Sequence, residues 1–309
     1  MKHFVVGVDI GGTNVKLGIV DPSGKMVARS AFSTKDFIRS PRALIDAVCA
    51  NVLALLAQEG IAKARVAGVG IGLPGLVDVK KGVVRILPNI PGWSEVPLKR
   101  VLEKKLGLAV QLENDVNMIT LGEWVYGAGK GMNDLICMTL GTGVGAGLIL
   151  DGRIYRGPGF AAGEIGHVPM TEDRSAICGC GSWGCFERYV GNQSLQEEAA
   201  RLFDRANISL EEVSSKAVKG EKKALGFWAA VGEKVALGLI GPINILNPRC
   251  VIIGGGVARS FALMKPAIEK VIKSRCMKTQ AEMVRFVKAR LDDSAGIIGA
   301  EVLIRHEKR

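Results

Sequence analysis

A strand, a glycine-rich turn and a second strand open the chain, and the same order returns about 130 residues later. No other feature constrains the fold as strongly. Residues 4–8, Gly11-Gly12-Thr13, residues 15–20 and an Asp21-Pro22-Ser23-Gly24 turn are matched by residues 135–140, Gly141-Thr142-Gly143-Val144-Gly145, residues 146–150 and Asp151-Gly152. Gly11 falls on Gly141 at an offset of 130, and Gly18 on Gly147 at 129. A third strand at 26–33 completes a β-meander in the first half. Leu44, Val48, Val52, Leu55 and Leu56 then recur at helical spacing, with Gly60 at a C-cap position, and 66–71 reads as a buried strand. Helical stretches at 223–246 and 259–275 flank Val251-Ile252-Ile253, an apolar strand that ends in Gly254-Gly255-Gly256. Two β-meander-plus-helix halves predict an α/β protein of two domains with a cleft between them and ligands at the strand ends. The expected domains are 1–117 and 118–291, with a C-terminal helix over 292–309 packing back on the first.

Composition narrows the choice. With 48% hydrophobic and 23% charged residues, the chain can bury large cores. Glycine makes up 40 of 309 residues, about 13% against roughly 7% in average usage. Much of that surplus falls in clusters, including 70–75, that are expected where backbone approaches a ligand; 127–131 reads as a plain linker. No window approaches the 18 or so apolar residues of a membrane helix, and the start lacks the segments of a secretory signal, so a cytoplasmic location without a membrane partner is expected. Cys49, Cys137, Cys250 and Cys276 stand alone in apolar surroundings, as reduced core thiols do. The net charge of +11 is spread along the chain without basic runs interleaved with aromatics. It reads as solvated surface that suits an anionic cofactor, and no nucleic-acid partner is expected.

In Asp9-Ile10-Gly11-Gly12-Thr13-Asn14-Val15-Lys16, two glycines follow a buried strand directly. Successive N–H groups there can cradle phosphate oxygens, Thr13 can add a hydroxyl donor, and Asp9 can hold Mg²⁺ through water. A tight hairpin with no ligand is the alternative. Gly141 to Gly145 has dinucleotide-fingerprint spacing, but a strand follows instead of the helix that fingerprint requires. Two matching loops could instead grip the β- and γ-phosphates of one nucleotide. On these segments the chain resembles the sugar kinase, actin and Hsp70 ATPase superfamily and, within it, the ROK family (repressors, open reading frames and kinases). Asp9 to Thr13 is similar to that family's first phosphate motif, Gly141 to Gly145 to its second, and Gly254-Gly255-Gly256 to its adenosine motif, with Gly141, Thr142 and Gly143 the implied contacts of the second. The resemblance implies a duplicated actin-like (ribonuclease H-like) ATPase fold, with Lys16 also on the nucleotide side.

Cys178-Gly-Cys180-Gly-Ser-Trp-Gly-Cys185 puts three thiols within eight residues, and His167 lies eleven residues upstream. A Cys₃His structural zinc site is the natural completion, with free or redox-active thiols as the alternative. All four positions would be protein, leaving no open site for an activated water. Gly163-Glu164-Ile165-Gly166-His167 followed by Cys178 to Glu187 closely resembles the ROK signature. After Glu187, Arg188-Tyr189-Val190-Gly191 departs from the small residues that many family glucokinases carry.

Glu113-Asn114-Asp115 precedes a helical stretch, so Asn114 or Asp115 can be an N-cap. The segment also matches the ROK motif whose aspartate is the catalytic base, which makes Asp115 the implied base. The same resemblance implies sugar contacts from Gly75, Asn89, Asn114, Asp115, Glu164, His167 and Glu187. The implied activity is ATP- and Mg²⁺-dependent transfer to the primary hydroxyl of a hexose, glucose first, with N-acetylmannosamine or N-acetylglucosamine next and fructose or allose possible. A sugar-responsive ROK regulator is the alternative from another class, but its helix-turn-helix domain has no room before a strand that begins by residue 4. A chaperone-like ATPase without transfer is the other, and Asp115 argues against it. A homodimer is the expected assembly.

Overall fold

The computed structural model describes residues 3–35, 37, 40–87 and 92–306. It divides into two compact units, one of Met1–Gly131, Ile154–Ala162 and Arg290–Arg309, the other of Met132–Arg153 and Gly163–Ala289.

The first unit opens with β1 (Phe4–Ile10), β2 (Asn14–Val20) and β3 (Met26–Ser33), then α1 (Pro41–Gln58) and β4 (Val66–Leu73). A small antiparallel sheet of β5 (Leu76–Asp78), β6 (Val83–Ile86) and β7 (Ser94–Val96) precedes α2 (Leu98–Leu106), β8 (Val110–Asn114) and α3 (Asp115–Val125). The second unit holds β9 (Leu135–Leu140) and β10 (Val144–Leu150); β11 (Arg153–Tyr155) follows, its last two residues grouping with the first unit, and then α4 (Glu187–Val190), α5 (Asn192–Phe203), α6 (Leu210–Val218) and the long α7 (Lys222–Leu246) in the second. There follow β12 (Cys250–Gly254), α8 (Phe261–Arg275), α9 (Lys278–Met283) and β13 (Arg285–Lys288), before α10 (Ala295–His306) rejoins the first unit.

The duplication is one of topology. One main sheet runs β3-β2-β1-β4-β8 and the other β11-β10-β9-β12-β13, each with an antiparallel hairpin beside parallel strands. Gly7 pairs with Gly18 in the first, and Cys137 with Gly147 in the second. Four residues separate the paired Ile10 and Val15, but only three separate Leu140 and Val144. That shorter second turn is why the sequence offset drops from 130 to 129. All eight residues of β4 are buried, as in a parallel strand covered on both faces.

Helix α10 explains part of the glycine surplus. A Cβ on Gly7 would stand 2.4 Å from Ile297 O, one on Gly70 2.7 Å from the Ala300 Cβ, and one on Gly122 2.4 Å from Ala295 O. From the other side, a Cβ on Gly299 would lie 1.8 Å from Met118 O. The glycines let α10 seat directly on β1, β4 and α3, so Gly70 serves packing and not, as its cluster suggested, a ligand. This packing also draws α3 into the first unit, which therefore runs past residue 117 to Gly131. The stretch 127–131 is more than a linker. The buried Glu123 carboxylate accepts the N–H of Ala128 at 2.8 Å and those of Arg290 and Leu291 at 2.8 and 2.7 Å.

By length and composition α1 and α7 are apolar enough to cross a membrane, although polar and charged residues interrupt both, so neither is an unbroken apolar run. Each sets an apolar face in a core instead. In α1 the buried residues include Leu44, Val48, Val52 and Leu55, and in α7 they include Trp228, Val231, Val235 and Leu239. Ser40 caps α1 by accepting the Ala43 N–H, with Pro41 at the first helical position.

Candidate functional site

The first glycine turn is braced by the chain that follows it. The Gly11 N–H donates to Asn14 O at 2.9 Å, while Thr34 donates its hydroxyl to Gly11 O at 2.8 Å and its N–H to Thr13 O at 2.9 Å. Thr34 is fully buried, and Gly12 and Thr13 stay exposed above it. Asp9 sits at the end of β1, paired across the ladder with Lys16. Burial pushes its carboxyl above the usual carboxylate range; Lys16 opposes that and Asp293 adds to it. Lys16 Nζ is 3.5 Å from Asp293 Oδ1, and a Cβ on Gly296 would come 3.6 Å from the Asp9 carboxylate. Nothing local in the sequence ties residues 293–296 to residue 9.

The second turn repeats the hairpin with other supports. Gly141 N–H donates to Gly143 O at 3.0 Å, and Gly141 O accepts the N–H of Asn192 at the start of α5 at 2.8 Å. Gly141, Thr142 and Gly256 line a cavity of about 500 Å³ with Leu210, Trp228 and Val257, a size suited to a small ligand. Gly143, Gly254 and Gly255 lie outside that lining. Gly254 ends β12, and Gly255, at φ +84°, would put a Cβ 2.3 Å from Leu140 O, so only glycine fits.

At the junction of β8 and α3, Asn114 is the N-cap. Its Oδ1 accepts from the N–H groups of Val116 and Asn117 at 2.9 and 3.1 Å, and its Nδ2 donates to Gly75 O at 3.3 Å. Capping therefore falls to Asn114, while Asp115 is the first residue of the helix, half-buried, with Oδ1 accepting the Val116 N–H at 2.9 Å. Glu113 is buried beneath. Its Oε1 accepts from Asn114 N and Asn117 Nδ2, both at 3.0 Å, and its Oε2 from Arg156 Nε and Nη2 at 2.7 and 2.6 Å. Arg156 follows β11, 43 residues from Glu113, and no sequence signal links the two. The predicted contact Asn89 lies outside the described residues.

His167, Cys178, Cys180 and Cys185 come together with their ligand atoms all within 4.8 Å of one another. Cys178 Sγ is 3.6 Å from His167 Nδ1 and Cys180 Sγ 3.8 Å from Cys185 Sγ. Tetrahedral zinc with ordinary bond lengths spaces sulfur and nitrogen by about 3.6 Å and two sulfurs by about 3.8 Å, so the cage has the dimensions of a zinc site. Burial, then the adjoining thiols, pushes the Cys185 thiol up to about 12, whereas a backbone hydrogen bond from Ser182 draws the Cys180 thiol down, so it is Cys185 that a cation would be needed to hold as a thiolate. Two bridges, Pro169 to Cys185 and Ile177 to Trp183, fold the loop on itself.

The glutamates flanking the loop have different settings. Glu164 is exposed, with Oε2 3.8 Å from His167 Nε2. Glu187 begins α4; its Oε2 accepts the Val144 N–H at 2.8 Å, and its Oε1 lies 4.0 Å from Cys178 Sγ. It thus touches both the second turn and the cysteine cage.

Two units with one strand order, each opening on a glycine turn, form the actin-like ATPase fold. The chain belongs to the ROK family, which it matches over residues 5–307. It is 32% identical to a glucokinase of Streptomyces coelicolor, with 98% of each chain covered. It is 29% identical to an N-acetyl-D-glucosamine kinase of Photobacterium profundum, covering 96% of this chain and 98% of that protein. A xylose repressor of Caldicellulosiruptor bescii is 27% identical, covering 97% of this chain and 77% of the repressor. Among solved structures, a ROK family glucokinase from Streptomyces griseus in complex with glucose and AMPPNP superposes with a TM-score of 0.82 at 33% identity, covering 98% of this chain and 99% of that one.

Proposed function

We propose that the protein is an ATP-dependent sugar kinase that transfers the γ-phosphoryl group to the 6-hydroxyl of a hexose, with glucose the first choice and N-acetylglucosamine or N-acetylmannosamine the alternatives. The observation that carries this reading is the β8–α3 junction. Asn114 gives its Oδ1 to capping and one Nδ2 hydrogen to Gly75 O, so the Asp115 carboxylate is the acid group presented at the end of the strand. Phosphoryl transfer has a loose transition state, so the protein mainly aligns the hydroxyl with the γ-phosphate and balances charge. Asp115 accepts the proton of the sugar hydroxyl as its oxygen bonds to phosphorus.

The glycine turns take the phosphates, the first through the exposed backbone of Gly12 and the Thr13 hydroxyl, the second through Gly141, Thr142 and Gly143. The adenosine occupies the cavity lined by Thr142, Gly256 and Val257. Mg²⁺, when bound with the nucleotide, supplies charge neutralisation at the β- and γ-oxygens. Asp9 would hold it through water, and Lys16 offsets the charge of Asp9 and Asp293. Gly75, Asn89, Asn114, Glu164, His167 and Glu187 recognise the sugar hydroxyls. Zinc would be held by His167, Cys178, Cys180 and Cys185, a structural role that fixes the loop between the two glutamates.

The test is a panel of hexoses and N-acetylhexosamines assayed with ATP and Mg²⁺ for kcat/KM, alongside metal analysis under reducing conditions. Sugar-dependent ADP release led by glucose is expected, with one zinc per chain. Sugar-independent hydrolysis, or none, overturns the kinase reading, and a zinc-free protein overturns the Cys₃His assignment.

A further inference from the structure

The carboxylate of Glu113 divides its two oxygens between two jobs. Oε1 holds the junction through the Asn114 N–H and the Asn117 side-chain amide, and Oε2 receives a forked pair of donors from Arg156. Glu113 is 1% exposed and the Arg156 side chain 16%. A buried ion pair of this kind seldom adds net stability over well-packed apolar residues, because desolvation offsets the attraction. A gain in stability is therefore a poor reason for its presence. Orientation is a better one, since Asn114 and Asn117 bracket Asp115 and both are tied to the same carboxylate oxygen. Arg156 lies on the segment Ile154–Ala162, which groups with the first unit although the chain on both sides of it groups with the second. Its carbonyl accepts the Ala162 N–H at 3.0 Å, closing the segment into a loop two residues before Glu164.

We propose that Arg156 is a positioning residue for phosphoryl transfer: acting through Glu113, it sets the first turn of α3 so that the Asp115 carboxylate is aimed at the sugar hydroxyl. The proposal rests on Asp115 being the base. Lysine at 156 keeps the charge and loses the fork of two nitrogens, so the pair survives as a looser contact.

The experiment compares wild type, Arg156→Lys, the neutralised double variant Glu113→Gln/Arg156→Met, Asp115→Asn, and Asp115→Asn/Arg156→Lys, each corrected for folded protein. Arg156→Lys is expected to lower kcat about 10-fold, with KM for ATP changed less than about 2-fold, and to shift the acidic limb of the kcat profile that reports the base. The neutralised double variant is expected to keep the wild-type Tm and still lose kcat about 10-fold or more, so the proposal stays testable if Arg156→Lys folds poorly. In the Asp115→Asn background, Arg156→Lys is expected to cost less than about 2-fold, because the two act as one unit. Wild-type kcat and acidic limb in the neutralised double variant overturn the proposal, as does a full additive loss in the Asp115→Asn background. Wild-type turnover in Asp115→Asn alone would instead sink the base assignment, a distinct outcome.

Discussion

The two glycine turns are the same hairpin in different company. Each closes with a glycine N–H donating to a carbonyl two or three residues on, at 2.9 Å in the first and 3.0 Å in the second. Around the first stand Asp9, Lys16 and Asp293; around the second stand the Glu187 carboxylate and the N-terminus of α5. Three of those partners come from outside the duplicated hairpins, Asp293 from just before α10, Glu187 from the end of the cysteine loop and Asn192 from the start of α5. Duplication thus accounts for the two matching glycine turns. What distinguishes them is the charge handling at the first, by Asp9, Lys16 and Asp293; backbone is fixed at both, by Thr34 at the first and by Glu187 and Asn192 at the second.

If that distinction holds, the turns should respond differently to substitution. The largest effect is expected at the first: Asp9→Asn should lower kcat about 10- to 100-fold, read as a reduced apparent affinity for Mg²⁺ in a metal titration. An unchanged Mg²⁺ requirement would remove Asp9 from the metal's surroundings. At the second turn, a Cβ on Gly143 would stand 2.8 Å from Glu187 Oε2, whereas one on Gly141 meets nothing nearer than 4.0 Å. Gly143→Ala should therefore displace Glu187 from the Val144 N–H and raise KM for ATP about 10-fold, the scale of one charge-assisted hydrogen bond. Gly141→Ala should change it less than about 2-fold. Equal effects would mean that Glu187 does not fix this turn.

The smallest effect is on stability. Because burial raises the Asp9 carboxyl in the folded state, that state binds more protons than the unfolded chain as pH rises above 3.8, so stability falls across that window. Above the raised value the destabilisation is fully present. Ligand-free Asp9→Asn should accordingly melt about 2 °C above wild type at neutral pH, on the scale of about 1 kcal/mol, and the difference should vanish in acid. A lower Tm for the variant at neutral pH would show that Lys16 outweighs burial.

Much of the fold was legible because its signals are local. The strands at 4–8, 15–20 and 26–33 and the helices near 223–246 and 259–275 follow from apolar runs and spacing, and each lies within two or three residues of the observed element. The cysteine cage was equally legible, since its ligand atoms come from a 19-residue stretch, His167 to Cys185. What stayed hidden depends on contacts between distant residues. Gly7, Gly70 and Gly122 are small because α10 rests on them, and no window containing those glycines includes α10. Arg156 on Glu113, and Asp293 beside Lys16, are pairings of the same kind. At the β8–α3 junction, Asn114 and Asp115 were equal candidates for the cap. Hydrogen-bond geometry separates them, because Oδ1 of Asn114 reaches two amide hydrogens of the first turn.

The most direct test is turnover and sugar binding measured together on one variant, Asp115→Asn. With ATP and Mg²⁺ saturating, the proton-accepting role predicts a fall in sugar-dependent ADP release of about 10²- to 10⁴-fold, while calorimetric affinity for glucose stays within about 3-fold of wild type. Turnover at the wild-type rate in a variant that binds the sugar normally would contradict it.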